Sequence, residues 1–133
     1  STTEPRRLRF IVVMRDPVMR AFSEWSMFAL GWNWDHVKNF TESMRVKLHV
    51  LRTCNRTLYE NPLLIEKLPT DELGRYVQRC FLQGRAMMYP HLSMYAPCII
   101  HALRYFERDQ FLFLRYEDLM RMDAASIVRL VGR

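Results

Sequence analysis

Leu8-Arg9-Phe10-Ile11-Val12-Val13-Met14, followed at once by Arg15-Asp16-Pro17, decides between a purely helical chain and a mixed one. Six of the first seven residues are apolar, and Ile11, Val12 and Val13 are β-branched. A short continuous run of this kind predicts a strand buried on both faces, as in a parallel sheet. Asp16 is a good N-cap and Pro17 suits the first helical position, since its missing N–H would have no partner there anyway. A helix is expected from Pro17 to Leu30, with Val18, Phe22, Trp25 and Ala29 on its apolar face and Gly31 as its stop.

Outward from this stretch, the apolar stripe Val37, Phe40, Met44, Leu48 and Leu51 predicts a second helix over 35–53. Residues 55–69 contain two prolines and read as a loop with one short turn. Thr70 is expected to cap a third helix running through Val77 to Phe81 and closed by Gly84. Residues 87–90 read as irregular, and a fourth helix is expected over 95–106, with Pro97 tolerable only in its first turn. Gln110-Phe111-Leu112-Phe113-Leu114-Arg115 is the second buried-strand candidate. Asp123 then caps a terminal helix containing Ile127, Val128 and Val131. Two apolar strands separated by helices imply an α/β fold with a parallel sheet. Two strands alone do not make a stable sheet, so the chain reads as part of a larger α/β domain.

The 133 residues fit one domain of ordinary size, and half of them are apolar, which excludes global disorder. No apolar run is long enough to span a bilayer, and Ser1 to Arg7 lack the apolar segment of a signal peptide. The 20 basic residues outnumber the 14 acidic ones by six. Seventeen of the 20 are Arg, whose planar fork suits phosphate, sulfate and carboxylate, so an anionic partner is expected. The basic residues divide evenly between residues 1–60 and the remainder, which argues against a nucleic-acid module. Cys54, Cys80 and Cys98 lack CxxC spacing, which argues against zinc; one disulfide plus one thiol, or three buried thiols, both fit. No pair of His36, His49, His91 and His101 has metal-ligand spacing, and no metal is expected. The sequons Asn39-Phe40-Thr41 and Asn55-Arg56-Thr57 weakly favour a lumenal protein.

The chemistry-bearing stretch is Arg15-Asp16-Pro17-Val18-Met19-Arg20-Ala21-Phe22-Ser23-Glu24-Trp25. Arg15 is expected at the carboxyl end of a strand, where α/β folds bind ligands, just before a helix N-terminus with its unsatisfied N–H groups. Ser23 is two turns into that helix. A strand-end guanidinium and a helix hydroxyl can converge on one phosphate, the first by charge and a bidentate fork, the second by a neutral hydrogen bond. Arg20, one turn before Ser23, is expected either to add charge to that site or to lock the turn by pairing with a carboxylate, the structural role being favoured. Trp25 reads as core, while Trp32 and Trp34 flank a loop where they could stack on a base or sugar.

The pattern Arg-Asp-Pro-x-x-Arg-x-x-Ser, with Trp25 two residues later, resembles the 3′-phosphate-binding motif of sulfotransferases that use 3′-phosphoadenosine 5′-phosphosulfate (PAPS). A second block is similar to that family: Ser93-Met94-Tyr95, His101 to Phe106, then Gln110 to Leu119 with Tyr116-Glu117-Asp118-Leu119. The resemblance covers most of the chain and is closest to the Golgi carbohydrate sulfotransferases of the heparan and chondroitin type. It implies a partial, P-loop-like α/β sulfotransferase domain over 1–133, lacking the family's 5′-phosphosulfate loop and its closing C-terminal segment. It implies PAPS as co-substrate, a carbohydrate hydroxyl as acceptor, Arg15 and Ser23 as cofactor-binding residues, and no metal. It assigns no catalytic residue within the chain, and it places the parent protein in the Golgi lumen as a type II membrane protein, with the anchor outside this segment. The competing reading is a non-catalytic, Arg-rich helical module binding heparin or nucleic acid. A P-loop kinase would need a Gly-rich GK[ST] loop, and none occurs.

Overall fold

The computed structural model describes residues 8–82 and 87–132. Ser1 to Arg7 therefore lie outside the described residues, as does Gly84, the expected stop of the third helix. The described residues form two compact units, one from 8–15 with 102–132, the other from 16–82 with 87–101.

The first unit holds the strands β1 (Phe10–Met14) and β2 (Phe111–Arg115). They pair in parallel, Phe10 opposite Phe111 and Met14 opposite Arg115. The fold is thus α/β, helix-rich with a two-strand parallel sheet among the described residues. Phe10 packs against Phe111 and Phe106, at ring separations of 4.8 and 4.7 Å. Gln110, expected in the strand, precedes it and is buried. Its amide donates to the Leu8 carbonyl at 3.0 Å and accepts from the Glu107 N–H at 2.9 Å, so one side chain ties the approaches to both strands. Burial on both faces is not found: Ile11 is 51% and Val13 47% exposed. Side chains alternate along a strand, and two strands with the short helices α7 (Tyr116–Leu119) and α8 (Ala124–Val131) supply too little apolar surface to cover a second face. Asp123 caps α8 by accepting from the Ser126 N–H at 2.7 Å, as expected. Val128 and Val131 of this helix are exposed.

The second unit holds α1 (Pro17–Trp25), α2 (Phe40–Cys54), α3 (Arg56–Glu60), α4 (Thr70–Val77), α5 (Tyr89–Ser93) and α6 (Ala96–Ala102). From Ser26 to Gly31 the chain continues α1 as a π-helix, and Gln78–Leu82 continues α4 in the same way. The buried residues of this first helical segment are Ala21, Trp25 and Ala29. Val18 and Phe22, expected on the same face, are exposed. Helix α2 begins five residues later than expected, because Asn39 rather than Asp35 caps it, accepting from the Glu42 N–H at 2.9 Å. The expected loop 55–69 holds α3, capped by Asn55, and a 3₁₀ segment Pro62–Lys67 opened by its proline. Of residues 87–90, expected to be irregular, Tyr89 and Pro90 already form the first turn of α5; the helix expected over 95–106 is found as α6, ending at Ala102, with Pro97 in its first turn.

One apolar cluster joins Leu51, Leu58, Ile65, Leu73, Val77 and Phe81; another joins Ala21, Trp25, Ala29 and Tyr89. Cys54, at the end of α2, forms a disulfide with Cys80 beside the first cluster, with Cα atoms 5.8 Å apart. Of the two arrangements open from the sequence, the disulfide plus one thiol is the one found. Burial pushes the Cys98 thiol pKa upward.

Candidate functional site

The parallel register positions Arg15. Met14 pairs with Arg115, so Arg15 and Tyr116 are the next residues along two adjacent strands. The Arg15 guanidinium lies over the Tyr116 ring, 4.7 Å from its centroid, a cation–π contact that orients the planar fork. Tyr116 opens α7, and Glu117 and Asp118 form its first turn. The acidic pair that follows the second strand is thus a helix entry, with Asp118 4.0 Å from Arg115.

Ser23 belongs to the other unit. Asp16 caps α1 as the sequence predicts, accepting from the Met19 N–H at 2.9 Å, and Pro17 starts the helix. This places Ser23 in the last turns of α1, between the buried Ala21 and Trp25, with its own side chain exposed. Its carbonyl accepts a bond from the Ser26 hydroxyl at 3.0 Å.

Arg20, the third polar member of the motif, turns inward. It ion-pairs with Glu24 one turn on, donates through Nε to the Ser93 hydroxyl at 2.7 Å and through Nη2 to the Tyr89 carbonyl at 3.0 Å. Three partners on two helices make it the clamp between α1 and α5, the structural role expected from its spacing.

A polar cluster that sequence reasoning missed lies beside this clamp. Asp35 is buried and accepts from the Tyr89 hydroxyl at 2.7 Å, from Lys47 Nζ at 2.9 Å and from the Val37 N–H at 3.0 Å. Lys47 also donates to the buried Ser43 hydroxyl at 3.0 Å and lies 4.8 Å from the Tyr89 ring centroid. Burial alone would raise the Asp35 pKa, but the bonds from Lys47, Tyr89 and Val37 together hold it below the ordinary carboxylate value. The Tyr89 phenol is pushed well above its usual range, by burial and then by its bond to the Asp35 carboxylate. Every group in this cluster is engaged with another, which suits holding the unit together better than doing chemistry. The available signal was Lys47, an isolated cation on the inward face of α2.

Trp25 is core, as expected, its indole N–H donating to the Val37 carbonyl at 3.0 Å. Trp32 and Trp34 are exposed. Among the described residues no group of three or more His, Cys, Asp and Glu side chains is arranged to hold a metal ion. None of the described helices is long and apolar enough to cross a membrane. The chain matches no known family model, no curated protein and no solved structure.

Proposed function

We propose that this chain carries the 3′-phosphate-binding part of a PAPS-dependent sulfotransferase acting on a carbohydrate hydroxyl. The P-loop-like sheet of that family belongs to the same proposal. One observation carries it: the Arg-Asp-Pro…Ser motif is laid out as strand end, cap, helix start and exposed helix hydroxyl, immediately after a strand in a parallel pair. The donor set fits a phosphate, since a guanidinium supplies charge and a bidentate fork and a serine supplies a short neutral bond. In this reading Arg15 and Ser23 hold the ribose 3′-phosphate, and Tyr116 fixes the plane of Arg15 beforehand. PAPS, when bound, supplies the sulfuryl group. The two residues bind the donor at the end remote from the reacting sulfur, so their binding energy is spent on positioning.

The Cys54–Cys80 disulfide supports a lumenal setting, because such bonds persist in oxidising compartments. The Arg-rich module reading is weakened by how the arginines are used. Arg20, Arg45, Arg52, Arg56 and Arg75 are all paired with carboxylates, Arg52 and Arg56 sharing Glu60, which leaves these five little surplus charge for a polyanion.

The test is binding of adenosine 3′,5′-bisphosphate to the full chain by calorimetry. Saturable binding that Arg15→Ala weakens at least about tenfold is expected, the scale of one charge-assisted bond of roughly 1.5–3 kcal/mol. Equal binding by variant and parent removes the role assigned to Arg15, and no binding by the parent removes the reading.

A further inference from the structure

Trp32 and Trp34 are 51% and 61% exposed, among the largest apolar side chains left open to solvent. Their ring centroids are 4.9 Å apart with planes tilted by 47°. Phe28 backs both indoles, edge-on to Trp32 at 5.1 Å and tilted to Trp34 at 5.8 Å. The backbone beneath them is held at several points. The π-helix places the Trp32 N–H on the Met27 carbonyl at 2.8 Å, and the Trp34 N–H donates to the Phe28 carbonyl at 2.8 Å. Asn33, between the two tryptophans, has a φ of 56°, in the left-handed region. Lys38 Nζ donates to the Asn33 side-chain oxygen at 2.5 Å and also to the Ala29 carbonyl, which brackets the loop from below.

A widened helical turn and a left-handed residue both cost conformational energy, and both recur where a backbone is shaped around a ligand. Here they converge on one loop and present two rigid indoles side by side. We infer that Trp32 and Trp34 form a stacking platform for a pyranose ring of a saccharide. The apolar C–H face of a sugar lies flat on an indole, whose π face is negative, while its hydroxyls seek hydrogen bonds at the ring's edge. The exposed Asn33 and His36 supply that polar rim. A preformed platform binds with little ordering cost. A membrane-inserting tip would need an apolar residue at its apex, and the residue between these indoles is an asparagine. As an acceptor-binding element the platform rests on the reading above; as a sugar-binding element it stands without it.

The test uses the full chain, labelled so that its three indole N–H resonances are resolved, titrated with a chondroitin hexasaccharide and with the neutral maltohexaose. Trp25 is the internal control, because its N–H is buried on the Val37 carbonyl. Saturable shifts at Trp32 and Trp34 with either saccharide, and none at Trp25, are expected. Trp32→Ala and Trp34→Ala should each weaken binding by about tenfold, the scale of one lost stacked ring, with the Trp25 resonance unmoved as evidence of an intact fold. The inference is overturned if neither saccharide moves the exposed indoles, or if only phosphatidylcholine bicelles do. Adenosine 3′,5′-bisphosphate is titrated on the same sample. Saccharide shifts without nucleotide binding keep the platform and remove the sulfotransferase reading, and nucleotide binding without saccharide shifts removes the platform alone.

Discussion

Asp35 and Lys47 meet in the interior of the helical unit at 2.9 Å, with 7% and 12% of their side chains exposed. Twelve residues separate them, and the pair fixes the extended segment that leads from Trp34 to the start of α2. Removing one partner strands the other charge in a buried site. Lys47→Met is therefore expected to lower stability by about 3–5 kcal/mol, whereas replacing both residues by apolar ones of similar size costs less, the remaining loss being the acceptor of the Tyr89 hydroxyl and the Val37 N–H. Urea unfolding of the two single variants and the double variant measures the difference.

The same cluster sets the pH limits of the unit. The Asp35 pKa is lowered on folding, so its stabilisation is complete above the unfolded value of about 3.9 and is lost as pH falls below it. The Tyr89 pKa is raised, so its stabilisation is complete below the unfolded value of about 10 and is lost as pH rises through and beyond it. Melting temperature followed across pH should fall at both ends. Tyr89→Phe should abolish the alkaline fall, apart from that due to other tyrosines, and Asp35→Asn should blunt the acid one.

Arg20 and Arg15 are five positions apart in a single motif, yet they should fail differently. Arg20→Ala breaks the clamp between α1 and α5 and should cost about 2–4 kcal/mol, because a half-buried Glu24 loses its partner. Where the variant remains folded, its affinity for adenosine 3′,5′-bisphosphate should be unchanged. Thermal unfolding with calorimetry on the folded fraction separates the two effects.

The disulfide closes a loop of 26 residues, and its reduction should lower stability by about 3 kcal/mol. Denaturant midpoints with and without dithiothreitol report this. Alkylation of the unreduced, unfolded chain should add a single group, on Cys98, and the same reaction in the folded protein should be slow because burial disfavours the thiolate.

Asn39 is both a cap and the acceptor residue of a sequon. Asn39→Ala should destabilise α2 by about 1 kcal/mol, while Asn39→Asp keeps the cap and removes the sequon. Comparing the two by thermal melts isolates the cap.

What was legible in the sequence is what local chemistry decides. The cap at Asp16, the proline at position 17, the cap at Asp123 and the two apolar strands are each written in a few adjacent residues, and each is found. Arg20 turned inward because a carboxylate stands one turn away. The failures belong to tertiary context. Phe22 and Val18 match the period of a buried face, but the π-turn after Trp25 and the packing of α5 on Ala21 set a different one. Asp35 resembles a helix start, and only Tyr89, 54 positions away, shows why it is buried in an extended segment instead. The strands were expected to be covered on both sides because their composition says so, but coverage depends on what packs against them. Of the proposed donor site, Arg15 was readable from its spacing, whereas the Tyr116 ring beneath it follows only from the register of β1 and β2.

The bond between Cys54 and Cys80 has a practical outcome for anyone handling this protein. A protease that nicks the chain anywhere from Asn55 to Arg79 severs the backbone but releases nothing, because both ends stay tethered through sulfur. The cut form keeps its intact mass, apart from one added water, until a reductant lets the fragments separate on a gel.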